Sequence, residues 1–597
     1  VRTTEGQARG SPFEQVEQEY GFLVGHLIDR ETLARADREA RASGVAPHQV
    51  LLARSWVDAD RYVEALSSHL SGVLRFGLRA PVSSVLLDAT TDRPAELGPR
   101  IAAERAAGRA VMLVSPAAAE CGELSISRAQ RAEEAASGFL NRYPDYSAGA
   151  PVWLWQLVTG AAALTIAGAG LIVMPATAQP ALAALVAVPF LFVVVLRVLA
   201  LALVAGSGVR QQRLPRPVPN TDLPLYTILV PMLREAEVLA DFIAAVRALD
   251  YPPAKLDVIL ILESVDIETQ LAAAALDLPG FVRVIVVPNS APRTKPKALN
   301  FGLQFARGEY VAVYDAEDVP DRDQLKRALA MFAAPGAELA CVQAQLSTYN
   351  PRANWLTRQF TLEYSALFDA ILPALARIGL PLPLGGTSNH FPRAVLEAVG
   401  GWDPHNVTED ADLGIRIARG GGQIAVLAST TWEEAPPTLA IWIRQRTRWL
   451  KGWMLTYLVH MRRPARLVRE LGLKRFLGFQ VLMGGLILST LVHPLFYLML
   501  AHALSHGIFM EAPASELELM LLALAAFNLA AGYSSAMALA ALTVCRRRRS
   551  SLAFDVVLMP LYWLLISLAA YRALLQVLRD PHLWEKTPHA SRSRRKR

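Results

Sequence analysis

The chain has 597 residues, 53% of them hydrophobic and 19% charged, with a formal net charge of +7. That length accommodates several domains, and so low a charge fraction beside so high an apolar fraction is unlike an ordinary soluble protein. The net charge is small for the length, which argues against nucleic acid as a partner. Three cysteines, Cys121, Cys341 and Cys545, are too dispersed for a metal site or a disulfide framework, as expected for a mostly cytosolic face.

Residues 1–12 read as a flexible tail and 13–150 as a polar, helix-rich, cytosolic amino-terminal domain without a signal peptide. Helices are expected over Arg30–Ala42 and Asp58–Leu70, with Asp29 and Asp58 as N-caps, and a strand in AVMLVSP at 110–116. LVGHLIDRETLARADREA and QVLLARSWVDADRYVEALSSHL form a loose repeat. It is similar to the amino-terminal domain of type II secretion ATPases, which in some proteins binds cyclic di-GMP, although the Arg-Leu-Gly opening of the ligand-binding version is missing. The resemblance implies either a cyclic di-GMP site or a docking module for another protein.

Next come apolar runs. Val152–Met174 and Pro180–Val204 read as a transmembrane hairpin within 151–206. Each covers a bilayer core of about 30 Å at about 1.5 Å per residue. Phe476–Leu504, Leu517–Cys545 and Ala553–Leu578 are three further spans within 464–580, followed by a basic tail over 581–597. Arg210, Arg213, Arg216, Lys474, Arg475 and Arg546–Arg549 all fall on one side, which the positive-inside rule makes cytosolic. Five spans would leave the basic tail outside. Either the segment interrupted at Pro560 is partly re-entrant or the number of spans differs by one. Arg197, inside the second span, either snorkels or lines a polar channel.

Between the apolar regions, 207–463 changes character. YTILVPM (226–232), LDVILILE (256–263), VRVIVVP (282–288) and EYVAVYDAED (309–318) read as strands alternating with helices such as Glu237–Leu249 and Lys297–Ala306. That order implies an α/β domain with a mostly parallel sheet, whose ligands gather at the carboxyl ends of the strands. Glu235, Glu263, Asp266, Asp315, Glu317 and Asp318 fall there. Such carboxylates suit Mg²⁺ or Mn²⁺ bridging to phosphate. TKPKALN places Lys295 and Lys297 at a helix start, where lysine reaches phosphate. LPLGGTSNHF (382–391) is a Gly-rich turn without a Walker A signature, and VTEDADLG (407–414) starts a helix near Thr408. A helix over Trp355–Ile378 is either interfacial or ordinary core.

IRQRTRWLKGW (443–453) interleaves Arg444, Arg446, Arg448 and Lys451 with Trp449 and Trp453, just after Trp442. Nucleic acid, a membrane interface and a sugar diphosphate are the three readings of such a pattern. The order of an early strand acid, DAED, TED at Thr408–Asp410 and QRTRW at Gln445–Trp449 decides among them. It resembles family 2 glycosyltransferases of the processive, membrane-embedded kind, such as cellulose and hyaluronan synthases.

That resemblance implies a GT-A-like α/β domain inserted between transmembrane helices of a bacterial-type inner (plasma) membrane. The reaction implied is inverting transfer from a nucleotide sugar, a UDP-sugar, to a growing polysaccharide. Asp315 and Glu317, shared with Asp318, match the metal motif. Glu263 and Asp266 stand where relatives carry an Asp-Asp pair for the nucleotide, though Ser264 and Val265 intervene. Lys297 matches a lysine near the nucleotide, Asp410 the catalytic base, and Glu409 beside it a substrate-binding residue. Gln445, Arg448 and Trp449 match the acceptor and diphosphate cover, which leaves Arg444, Arg446, Lys451 and Trp453 as interface anchors. The rival readings are non-processive transfer to a lipid phosphate and a non-catalytic secretion or signalling scaffold.

Overall fold

The computed structural model describes residues 12–70, 73, 85–115, 125–156, 158–160, 162, 179–206, 218–334, 336, 338–505 and 515–585. Most of the first expected span, the Arg210, Arg213 and Arg216 loop and the tail past Glu585 lie outside them.

The amino-terminal region carries helices Arg30–Ser43, Pro47–Ala53 and Ala59–His69. Asp29 accepts the Thr32 N–H at 2.7 Å, and Asp58 those of Asp60 and Arg61, so both are N-caps. Strands β1 (Val85–Asp88) and β2 (Val111–Val114) form a parallel pair on the same apolar core, around Leu33, Leu51, Tyr62 and Leu113. Helix Ser125–Arg142 belongs instead with the central domain. Asn300 and Gln304 each donate to its carbonyls, and Phe139 lies under the Arg416 guanidinium.

The central domain is built on eight strands: β3 (Tyr226–Met232), β4 (Leu256–Glu263), β5 (Val282–Val287), β6 (Tyr310–Val313), β7 (Val319–Pro320), β8 (Leu339–Thr348), β9 (Asn389–Pro392) and β10 (Gln423–Glu433). Their order is β5-β4-β3-β6-β9-β8-β10-β7. β5, β4, β3 and β6 run parallel, and the inner strands β3 and β4 carry the near-continuous aliphatic runs of strands buried on both faces. β9 is antiparallel to both β6 and β8, and β7 is antiparallel to β10. The sheet is therefore mixed rather than mostly parallel. Glu263 and the DAED turn sit at the carboxyl ends of β4 and β6, on one edge.

Four helical segments are long and apolar enough to cross a membrane among the described residues: Ala187–Gly206, Pro464–Leu495, Glu516–Arg546 and Ser550–Arg579. Pro560 does not interrupt a helix. It occupies the first turn of Met559–Arg579, after a 3-10 segment Ser550–Leu558, where a missing N–H costs nothing.

Helix Leu439–His460, which carries QRTRW, lies between the sheet domain and Met559–Arg579. Its cations are not the surface anchors their sequence pattern implied. Arg446 is buried and makes a bidentate pair with Glu363, 2.7 and 2.6 Å, while Tyr562 receives the Trp442 indole N–H at 3.0 Å. Lys451 is buried as well, donating to the Leu583 carbonyl at 2.6 Å, and Trp453 packs against a core of Ile415, Leu467 and Phe479. Only Arg444 of that set is exposed. The expected helix is present as one run, Trp355–Ala366 and Leu372–Arg377 joined without a break by a π turn Leu367–Ile371, and Leu356, Phe360 and Leu375 are buried in the core.

Removing Glu363 would strand the Arg446 charge. We expect Glu363→Ala to cost about 2–3 kcal/mol, less than a fully enclosed pair because the Glu363 side chain is 29% exposed. The paired change R446M/E363L should regain most of the loss, as read from unfolding midpoints in detergent.

Candidate active site

The site forms where the ends of β4 and β6, the loop before β9 and the start of helix Glu409–Arg419 meet. Lys295 is its cation. The ammonium pairs with Asp315 and donates to the Gly386 carbonyl at 2.7 Å. A Cβ on Gly386 would lie 3.3 Å from Asp410 Oδ2 and 3.8 Å from Lys295 Nζ, so the bare backbone there lets three charged groups crowd together. Burial alone would lower the Lys295 pKa; Asp315, Glu409 and Asp410 outweigh it and hold it raised.

Glu409 and Asp410 differ. Glu409 is buried, and burial followed by the Asp410 charge pushes its pKa up to about 8. Burial raises Asp410 too, but the Ala411 N–H at the helix start and Lys295 oppose the shift, and its side chain is half-exposed. At neutral pH Glu409 therefore holds a proton, and the two carboxylates titrate as a pair beside Lys295. The rest of this helix is anchored behind. Asp412 takes Arg416 at 2.7 Å and His460 at 3.1 Å. Gly452 lets helix Leu439–His460 press on Thr408, since a Cβ would lie 2.3 Å from its hydroxyl oxygen.

The DAED turn divides its carboxylates. Asp318 points inward: one oxygen accepts the Asp315 N–H at 2.7 Å and the Thr387 hydroxyl, and the other, Oδ1, is buried without a partner. Burial, then Asp315, Glu317 and Glu433, push its pKa well above the carboxylate range. Asp315 is 32% exposed at the opening. An orphaned oxygen in so negative a corner suits a divalent cation. Among the described residues, however, no three His, Cys, Asp or Glu side chains converge as a ready-made cage. The fit is to a cation held by one or two carboxylates and completed by a substrate diphosphate.

Three expected nucleotide ligands already have partners within the protein. Lys297 has a fully buried side chain, paired with Glu263 at 3.0 Å and donating to the Ser290 carbonyl at 3.1 Å, so it braces the floor instead of reaching a phosphate. Glu263 is buried with it, and burial raises its pKa against the pull of Lys297. Asp266 caps helix Ile267–Ala275 through Thr269 N–H and also accepts the Arg234 N–H, which ties the β3 and β4 loops together.

Gln445, Arg448 and Trp449 share one helix face, three and four residues apart. Trp449 stacks on Tyr364, centroids 6.0 Å apart, with Arg446 4.8 Å from its ring. Arg448 lies over Trp584, 5.0 Å from the ring centre, and its Nε is buried without a partner. Both Arg448 and Lys295 act on Glu409 and Asp410, so the QRTRW helix belongs to the same site.

The sequence marks Lys295 only as a lysine at a helix start, and it does not mark Glu433, Tyr364 or Trp584. Glu433 ends β10, where burial, then Glu317, raise its pKa to about 8 against a hydrogen bond from Tyr364. Its signal was the WEEAPP run after a strand that had gone unread. Trp584 carries no local signal.

Residues 224–452 match the family described as Glycosyltransferase like family 2. The chain is 27% identical over 234 residues to a probable glycosyltransferase, YdaM, of Bacillus subtilis (39% of this chain, 56% of the relative). It is 28% identical over 306 residues to a beta-monoglucosyldiacylglycerol synthase of Synechocystis (47% and 62%). It is 26% identical over 247 residues to cellulose synthase 2 of Novacetimonas hansenii (40% and 15%). A mannosyltransferase of Pyrobaculum calidifontis, solved with GDP-Man and Mn²⁺, aligns with 56% of this chain and 99% of its own at a TM-score of 0.35 and 20% identity. The chain thus spans little more than half the length of the first two curated relatives. Residues 224–452 of this chain are a family 2 glycosyltransferase domain, a GT-A-like enzyme fold on a mixed sheet.

Proposed function

We propose that the protein transfers a sugar, with inversion, from a nucleotide sugar of the UDP-sugar class to a growing polysaccharide at the membrane, and passes the product out through its own spans. The observation that carries this reading is the convergence of a half-exposed Asp410 with Lys295 and Asp315 around the bare Gly386 backbone. Asp410 takes the proton from the acceptor hydroxyl as it attacks the sugar carbon opposite the leaving diphosphate. Glu409, protonated, keeps a second negative charge away from that base. Arg448 and Lys295 neutralise charge that develops on the diphosphate.

Asp315 and Glu317 would hold a divalent cation, Mg²⁺ or Mn²⁺, with Asp318 fixing the turn and supplying its free oxygen. Bound there, the cation stabilises the leaving diphosphate. Gln445 and the open part of Trp449 position the acceptor. Glu263, Lys297 and Asp266 shape the nucleotide floor. The catalytic face is cytosolic on the positive-inside reading. The amino-terminal region is a regulatory or docking module, for cyclic di-GMP or another protein.

A second reading, transfer to a membrane lipid, is favoured by the similarity to beta-monoglucosyldiacylglycerol synthases. Product extraction after incubation with a panel of UDP-sugars separates the two, since a glycolipid partitions into organic solvent and a polymer does not.

Asp410→Asn should lower the transfer rate by about 10²–10⁴-fold while leaving UDP affinity nearly intact. Native-like transfer would remove Asp410 as the base. Asp315→Asn should weaken Mn²⁺-dependent UDP binding, measured by titrating the metal at fixed nucleotide; an unchanged metal curve would refute the DAED assignment. Glu409 yields a pH test. Folded, it keeps its proton up to about pH 8, whereas its ordinary value is 4.5. The folded chain therefore holds the extra proton between these values, and the stability it confers is lost as pH rises through about 8. Glu409→Gln should gain in unfolding temperature relative to the native chain between pH 5 and pH 9.

A further inference from the structure

Arg197, Tyr533 and Trp563 lie near the middles of the membrane-length segments Ala187–Gly206, Glu516–Arg546 and Ser550–Arg579, and His493 lies near the middle of helix Gly485–Ser505, which continues the segment Pro464–Leu495. These four meet. The Arg197 guanidinium lies 5.9 Å from the centre of the Trp563 ring. His493 stands edge-on to Trp563 at 5.7 Å and near-parallel to Tyr533 at 6.1 Å. The Tyr533 and Tyr497 hydroxyls share a hydrogen bond of 2.7 Å. All five side chains are half-buried, as the lining of a groove would be. Among the described residues, no carboxylate pairs with Arg197.

An unpaired guanidinium at mid-span is expensive in a bilayer unless an anion or water-filled space receives it. The Trp563 face offsets part of the cost, but a π face carries no net charge. Lipid phosphates lie about 15 Å from the midplane of a 30 Å core, beyond the reach of this side chain. A water-filled path through the bundle, and an anionic ligand that passes along it, would receive the guanidinium. A guanidinium fork recognises a carboxylate bidentately, an indole face takes a sugar ring, and phenol and imidazole groups exchange hydrogen bonds with sugar hydroxyls.

We propose that Arg197, Trp563, His493 and Tyr533 form an intramembrane subsite for a carboxylate-bearing sugar residue of the glycan product. The inference rests on the reading that the product leaves through the spans, and it makes that product an acidic polysaccharide.

The test uses the full chain in phosphatidylcholine nanodiscs, titrated with a hyaluronan hexasaccharide, whose alternate residues are glucuronate, and with neutral cellohexaose. The native protein should prefer the acidic probe. Arg197→Gln should weaken that binding about tenfold, the loss of one charge-assisted contact, while cellohexaose affinity changes less than about twofold. Arg197→Lys, which keeps the charge but not the fork, should fall between them, and its unfolding midpoint guards against misfolding. Absence of an acidic preference, equal losses for both probes, or displacement of the acidic probe by phosphatidylglycerol placed in the disc would each overturn the subsite. Transfer from UDP-sugars, measured in the same native discs, keeps the two claims apart. Transfer without acidic preference sinks only the subsite, whereas absence of transfer sinks the catalytic reading.

Discussion

Lys295 is the contact on which the site depends. Its ammonium bridges the end of β6, through Asp315, to the loop before β9, through the Gly386 carbonyl, and it faces the two carboxylates at the start of helix Glu409–Arg419. Without that cation, three acids from two distant parts of the chain would meet in a buried corner and could not all stay ionised. With it, Asp315 is paired and Asp410 stands half-exposed at the opening. The geometry needed for base chemistry is thus a consequence of charge neutralisation within the fold.

The same rule extends outward. Lys297 is neutralised by Glu263, Arg416 by Asp412, Arg446 by Glu363 and Arg419 by Glu470. All but the Arg416–Asp412 pair, which lies within one helix, join elements that are not neighbours in sequence, and breaking one would leave an uncompensated charge. Arg462 works without an acid: it donates to five backbone carbonyls between Pro144 and Pro151, at 2.6–3.3 Å. That clamp fixes the segment entering the first apolar run against the end of the QRTRW helix. Asp403, receiving Ser147 Oγ at 2.8 Å, holds the same segment to the loop that leads into TED. The loop leading into TED, the end of the QRTRW helix and the segment entering the first apolar run therefore share one set of anchors.

Metal and nucleotide enter this design as missing charges. The unpaired Asp318 oxygen and the raised pKa of Glu433 both record more negative charge than the chain itself balances. Arg448, with its partnerless Nε, records the opposite on the facing helix. A diphosphate with its cation would lie between such partners at little reorganisation cost.

The sequence by itself determined the parallel half of the sheet. β3 and β4 begin and end where their apolar runs do, because a strand buried on both faces needs an unbroken run of large aliphatic residues. It also determined the helix start at TED and the single face shared by Gln445, Arg448 and Trp449, both set by local spacing. Tertiary structure alone decided the rest. β8 and β10 carry Gln, Ser and Thr side chains that are buried only because distant groups bond them, as Gln343 does to the Thr387 carbonyl, so no periodicity announced them. The short antiparallel β9 that makes the sheet mixed has the same cause. Whether a cation in IRQRTRWLKGW meets solvent, a carboxylate or a carbonyl depends on what packs against each helix face. Arg446 and Lys451 found Glu363 and Leu583, residues 83 and 132 positions away. Composition records that a charge is present; only the folded chain fixes its partner.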